Sequence, residues 1–221
     1  MSRLDWITDL DLERAVDILV KRAGDARTEA PKRIKKNVVD PFSSLVVAST
    51  FRIKTSAQLV NAQQASSALD GMGNALGSFH QQVLSSVDGW VNYDASYDLE
   101  NEKLKILAEV KNKHNTMNSK TRKSVVHDLE TVLEIKRGWQ AYLVIIIPRK
   151  PKRYKRQIHL SRPIFEIDGA SFYESVTGQP TAIRDLFTAT IDILNTNGHR
   201  VEPNVSRYCQ NVFDTYIPPT I

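Results

Sequence analysis

One cysteine, Cys209, stands among 221 residues, so no disulfide can close within a single chain, and the composition suits a reducing compartment. Long hydrophobic runs are also missing. The longest, Tyr142 to Ile147, falls far short of the roughly 20 apolar residues a membrane helix needs. The opening residues, Met1-Ser2-Arg3-Leu4-Asp5-Trp6, lack the basic-then-apolar layout of a secretory signal, and the expectation is a soluble, cytoplasmic chain. No Cys/His spacing points to zinc, and no glycine-rich Walker loop is present. There is no internal repeat, low-complexity tract or convincing linker. The length fits a single domain over residues 1–221 with helical N-terminal and C-terminal embellishments. What is in excess is positive charge: 30 basic against 25 acidic residues give a net charge of +5, which favours a polyanionic partner without requiring one.

The most informative stretch is Leu104-Lys105-Ile106-Leu107-Ala108-Glu109-Val110-Lys111-Asn112-Lys113-His114-Asn115-Thr116. Leu104, Ile106, Ala108 and Val110 alternate with the other residues, which predicts a strand with one face on a core. Side chains repeat every two residues, so Glu109 and Lys111 leave the opposite face together. Asp98 lies upstream, just before the polar sequence Glu100-Asn101-Glu102, and a hairpin there would bring its carboxylate beside Glu109. Two acids and a lysine at one strand end suit a hard divalent cation and metal-assisted phosphodiester hydrolysis. Asp94 competes for the place of the first acid. A two-residue turn at Asn101-Glu102 would set Asp94 opposite Glu109, whereas a longer turn favours Asp98, the choice made here.

Around this hairpin (roughly 87–111) the chain reads as mixed α/β. Helical spacing covers 5–22; the basic stretch Pro31–Lys36 follows, then Asp40-Pro41 and an apolar segment to Ile53. Thr55 with Gln58 resembles a capping box opening a helical region to about Ser85, interrupted or closely packed at Gly71, Gly73 and Gly77. A helix is expected over 119–138, a strand buried on both faces at Tyr142–Ile147, another strand within 157–167, and helices over 181–196 and 203–215.

A lone Glu-x-Lys carries little weight, and the bland reading of Glu109 and Lys111 is a surface ion pair. Glu134-Ile135-Lys136 supplies an internal control: it lies in a helical pattern with no strand-borne acid before it, and reads as solvated helix charge. His80 reads as a helix residue that packs or hydrogen-bonds. His114, three residues past Lys111, suits a phosphate contact or a supporting role.

Asp98 with Glu109-Val110-Lys111 resembles the PD-(D/E)xK nuclease motif, with Tyr97 where the motif has proline. More narrowly, Glu109–Asn118 is similar to the motif of a type II restriction endonuclease family that cuts GGNCC-type sites. Asp98-Leu99-Glu100-Asn101, Asn37–Phe42 and Gly77–Gln81 are similar to it as well. The resemblance implies a restriction-endonuclease-like core with a mixed central sheet flanked by helices, in a bacterial or archaeal cytoplasm. It also implies a homodimer that cleaves double-stranded DNA at a short palindrome, leaving 5′-phosphate and 3′-hydroxyl ends. Asp98, Glu109 and the Val110 carbonyl would then hold Mg²⁺, while Lys111 orients a water or stabilises developing charge. Whether Lys111 acts as a general base stays open.

Contacts to DNA are expected from Asn112, Lys113, His114 and Asn115, and from Arg149, Lys150, Lys152, Arg153, Lys155 and Arg156 in the densest basic run. Lys32, Arg33, Lys35 and Lys36 form a second candidate phosphate patch. The competing readings are a repair or junction-resolving nuclease with the same core and a non-catalytic basic DNA-binding module.

Overall fold

The computed structural model describes residues 2–36, 39–93 and 96–219, with Lys35 described by its backbone alone. The helices are α1 (Asp9–Lys36), α2 (Pro41–Thr50), α3 (Ser56–Ser85), α4 (Ser119–Ile135), α5 (Gly169–Thr177), α6 (Ala182–Thr196) and α7 (Pro203–Tyr216). The strands are β1 (Val91–Asn92), β2 (Leu99–Asn101), β3 (Ile106–Lys113), β4 (Gln140–Ile147), β5 (Lys155–Gln157) and β6 (Ile164–Asp168). By contacts the chain gathers into two compact units, Met1–Val16 with Phe79–Ile221, and Asp17–Ser78.

The first unit carries a mixed sheet in the order β1-β2-β3-β4-β6-β5. The β1–β2, β2–β3 and β5–β6 pairs are antiparallel, while β3–β4 and β4–β6 are parallel. A parallel pair needs a crossover, and α4 supplies the one between β3 and β4. Asn118 caps α4 by accepting the Thr121 amide at 2.9 Å. The apolar positions of α4 then land on one sheet face: Leu129 and Leu133 pack with Leu107, Ala141 and Ile164, three residues in mutual register. One residue along, the pleat turns to the other face, where Tyr142 and Trp90 meet Phe172 of α5. Each side chain fully buried in this way contributes about 1.5–3 kcal/mol.

The continuous apolar run of β4 follows from this position, since Ala141 through Ile146 are buried on both sides. The strand carrying Glu109 departs from the expected pattern. A single core face was anticipated for β3, yet Leu107 on the Glu109 side is fully buried beneath α4, and Leu104 lies outside the strand and is exposed. The acid–lysine pair therefore leaves a covered face at its open end, which desolvates it. The strand expected within 157–167 is β6, confined to the end of that segment, and a further short strand, β5, precedes it at Lys155–Gln157. Helix α5 was unexpected. It starts at Gly169, where a Cβ would meet the Ile146 carbonyl oxygen at 2.6 Å. No side chain fits there without moving β4.

In the second unit, the basic stretch Pro31–Lys36 is the end of α1 and not a loop after it; the expected end near residue 22 is too early. Proline inside a helix costs about 3 kcal/mol through a lost hydrogen bond and a clash. Packing offsets it: Ala26 and Ala30 are buried, and a Cβ at Gly71 of α3 would meet Ala26 Cβ at 2.9 Å. Gly71 thus admits close helix packing, and α3 runs unbroken through all three glycines. Its N-terminus carries the expected capping box, with Gln58 N donating to Thr55 Oγ1 at 3.2 Å and Thr55 N to Gln58 Oε1 at 3.3 Å.

Candidate active site

The turn between β2 and β3 decides which acid meets Glu109. Asn101 pairs with Ile106, leaving Glu102–Lys105 as a four-residue connection. Lys105 takes a left-handed conformation (φ 55°) to close it, and Asn101 Oδ1 accepts the Leu104 amide at 2.9 Å. Leu99 then pairs with Ala108, so the next residue outward, Asp98, comes to lie across from Glu109. Asp94 lies outside the described residues, as do Asn37 and Val38.

Asp98 is fixed from two sides. Its backbone amide donates to the Ala108 carbonyl at 3.0 Å, and its Oδ2 accepts the Val110 amide at 2.6 Å. Amide and carbonyl of one strand residue leave the same edge, so the Val110 carbonyl also leaves β3 on the Asp98 side. Flanking residues clamp the strand. Glu100, buried, accepts from Lys136 Nζ at 2.6 Å and from the Tyr97 hydroxyl. Burial pushes Glu100 up, but these hydrogen bonds outweigh it and hold the carboxyl below its usual range. Lys136 also sits 4.1 Å over the Trp139 ring. Its expected role as solvated helix charge is corrected here: the end of α4 meets β2, and Lys136 neutralises a buried acid.

Lys111 Nζ donates to Glu109 Oε1 at 2.5 Å, with the two side chains 27% and 15% exposed. The pair is therefore largely withdrawn from solvent, and it joins two residues of one strand rather than of neighbouring strands. Burial and the neighbouring Asp98 raise the Glu109 pKa, and Lys111 only partly opposes them. A divalent cation between the carboxylates would relieve that cost. Among the described residues no group of three or more His, Cys, Asp or Glu side chains could hold a metal. The groups that the hairpin gathers, the Asp98 and Glu109 carboxylates and the Val110 carbonyl, are all oxygen donors, the kind that a hard cation retaining waters would prefer.

The other expected site residues divide. Lys113, His114 and Asn115 continue past Lys111 and are exposed, whereas Asn112 points to the opposite face and is buried. Arg149, Lys150 and Lys152 line an open cleft of about 810 Å³ together with His114 and Ile145, and Ile145 is the register partner of Lys111. Lys155 donates to the Tyr142 hydroxyl at 2.7 Å and Arg156 to Glu166 Oε1 at 2.7 Å. Arg153 is tied into the fold: it pairs with Glu174 and donates to the carbonyls of Pro180 at 2.8 Å and Pro219 at 3.0 Å. In the second unit Lys32 pairs with Glu29 at 2.8 Å. His80 behaves as read, with Nδ1 2.9 Å from the Tyr173 hydroxyl; its ring is packed though the residue keeps some surface, and burial pushes it down to about 4. Two residues escaped the sequence reading. Glu166, buried in β6, is paired with both Arg156 and Arg122 of α4. Neither belongs to a local motif, so only the fold brings them together.

Comparison with known proteins identifies the family. Residues 4–196 match the model of the Eco47II restriction endonuclease family. The chain is 35% identical over 206 residues to the type II restriction enzyme Eco47II of Escherichia coli, covering 86% of this chain and 85% of that one. It is 29% identical over 129 residues to the type II restriction enzyme Sau96I of Staphylococcus aureus, covering 51% and 49%. The match takes in the hairpin, α4 and the buried strands together, and the chain belongs to the Eco47II restriction endonuclease family, as a type II restriction endonuclease whose substrate is DNA.

Proposed function

We propose that this endonuclease has a PD-(D/E)xK core and acts as a Mg²⁺-dependent homodimer on a short palindromic site of the GGNCC type, leaving 5′-phosphate and 3′-hydroxyl ends. The observation that carries the catalytic assignment is the hairpin register, with Asp98 across from Glu109 and Lys111 on the same face. Asp98 and Glu109 would hold the metal through carboxylate oxygens, with the Val110 carbonyl as a further ligand. When bound, Mg²⁺ supplies Lewis acidity and lowers the pKa of a coordinated water.

The protein's own groups do the rest. The Val110 amide and the Ala108 carbonyl fix Asp98 so that its carboxylate does not have to be ordered during the reaction. Lys111, an ammonium partly removed from water, donates to a phosphate oxygen as negative charge builds there, or orients the attacking water. Arg149, Lys150, Lys152 and Arg156, with Lys113, His114 and Asn115, supply donors for the DNA backbone and base edges along the adjoining cleft. One carboxylate pair per chain can serve one strand at a time, and two-fold pairing of chains matches a palindrome with one site per strand.

The test is a digest of plasmid DNA of known sequence, with the ends sequenced. Defined fragments with 5′-phosphate ends at GGNCC-type sites, formed only with divalent metal, are expected. Structure-dependent nicking without a defined ladder would overturn the restriction specificity.

A further inference from the structure

The cleft beside Lys111 is lined by six lysine or arginine side chains and a single carboxylate, Glu166. That carboxylate is 4% exposed, and two guanidinium groups reach it from different elements: Arg122 from the first turns of α4, and Arg156 from β5. Register places it exactly two strands from the carboxylate pair in one row, Glu109 beside Leu143 and Leu143 beside Glu166, all on the face that α4 covers. Two strand spacings are about 10 Å. The arginine pair thus lies about two strand spacings from the proposed metal-binding acids, across the same sheet face.

A sheet-to-helix staple would be satisfied by one cation on Glu166. Here two converge, leaving an excess positive charge, and both stay partly accessible, Arg122 at 34% and Arg156 at 63% of the side chain. A guanidinium carries five donors, and one carboxylate cannot take all of those that two arginines offer. Arg122 and Arg156 both line the cleft, where a polyanion would meet the remaining donors. Glu166 fixes the rotamers of long side chains that would otherwise lose entropy on binding. Resting on the nuclease reading above, we propose that Arg122 is a DNA phosphate contact flanking the cleavage position, and that Glu166 is its positioning residue.

Binding of a random-sequence duplex in EDTA across a salt series, single-turnover plasmid cleavage in Mg²⁺, and thermal melting test this on Arg122→Ala, Arg122→Lys and Glu166→Gln. Arg122→Ala should weaken binding and lower the salt slope by about one unit, as for the loss of one phosphate contact. Arg122→Lys keeps the charge and the pairing with Glu166, so it should fold and retain the slope but cleave more slowly, because the fork is lost. Glu166→Gln should cleave about 10²-fold more slowly at saturating enzyme, a cost typical of a misplaced group. Lower melting temperatures with unchanged slope and unchanged saturating cleavage would make the cluster a staple only and overturn the proposal. Normal cleavage by Arg122→Lys would overturn it even if the other variants fail to fold. Absence of Mg²⁺-dependent cleavage in the wild-type chain would instead sink the nuclease reading, while the salt slope on random duplex still judges Arg122.

Discussion

The Asp98 carboxylate accepts the Val110 amide at 2.6 Å, so at the end of β2 a side chain takes the place of a backbone acceptor. One acid thereby serves the fold and, on the proposed reading, the metal. Two substitutions separate the roles. Asp98→Asn keeps an acceptor for Val110 and should fold with near-normal melting yet fail to cleave. Asp98→Ala leaves that amide unpaired and should also lose about 1–3 kcal/mol of stability. Asp94→Asn should retain most activity. Denaturant titration and plasmid cleavage on the three variants check this, and an active Asp98→Asn with an inactive Asp94→Asn would move the metal ligand to Asp94.

Glu109 yields a prediction whose sign depends on pH. Burial and Asp98 raise its pKa in the folded state, so the protonated form is favoured there. The stabilising contribution of that form is present below the ordinary glutamate value and is lost as pH rises through the raised folded value. At neutral pH the wild-type chain therefore carries the cost of an ionised Glu109, and Glu109→Gln removes it. The variant should be inactive, yet melt at or above the wild-type temperature at pH 7, with the difference vanishing in acid. Mg²⁺ should raise the melting temperature of the wild type and raise that of the variant less. Melting curves from pH 4 to 8 decide it; a variant less stable at pH 7 than at pH 4, relative to wild type, contradicts the assignment.

Lys111 shares the face of Glu109 and offers a cation where phosphoryl charge would develop. Lys111→Ala should slow single-turnover cleavage by roughly 10²–10³, the scale for losing one electrostatic stabiliser. If instead only DNA affinity falls, with normal cleavage at saturation, Lys111 belongs to phosphate binding.

Much of this arrangement is legible in the chain because its signals are local. Strand alternation placed Glu109 and Lys111 on one face, the Thr55–Gln58 box opened α3, and the β-branched run Tyr142–Ile147 declared a strand buried on both sides. The choice between Asp94 and Asp98 turned on the length of one connection, which spacing alone left open; the four-residue turn closed by Lys105 set the register. What stayed hidden was non-local. Lys136 reads as an ordinary helix charge until β2 brings Glu100 beneath it, and Glu166 reads as an unremarked strand residue until α4 and β5 bring two arginines to it. Helix α5 is short, and its start is dictated by the closeness of Ile146 to Gly169, a contact that no periodicity announces.

The basic run after β4 separates into parts that the sequence alone presents as equivalent. Arg153 is only 11% exposed in its side chain and is engaged by Glu174 and two carbonyls, so it holds the loop and the C-terminal segment in place. Arg149 lines the cleft and is exposed; Arg156 is tethered to Glu166 but largely open to solvent. Losing a phosphate contact should weaken all duplexes alike and lower the salt slope by about one unit. Losing a bidentate guanine contact should cost about 1–3 kcal/mol at the cognate site and little at random DNA. On the proposed reading, two subunits sharing a site of the GGNCC type would each have few base edges to read, so a single guanine contact would carry a large share of the discrimination. Arg153→Ala should therefore lower the melting temperature and reduce cognate and random affinity together. At least one of Arg149→Ala and Arg156→Ala should harm cognate binding selectively, with melting near wild type. Salt titrations of cognate and random duplex for each variant distinguish these outcomes. If Arg149→Ala and Arg156→Ala both lose the two affinities in parallel, this loop grips the backbone only, and base reading resides on another element.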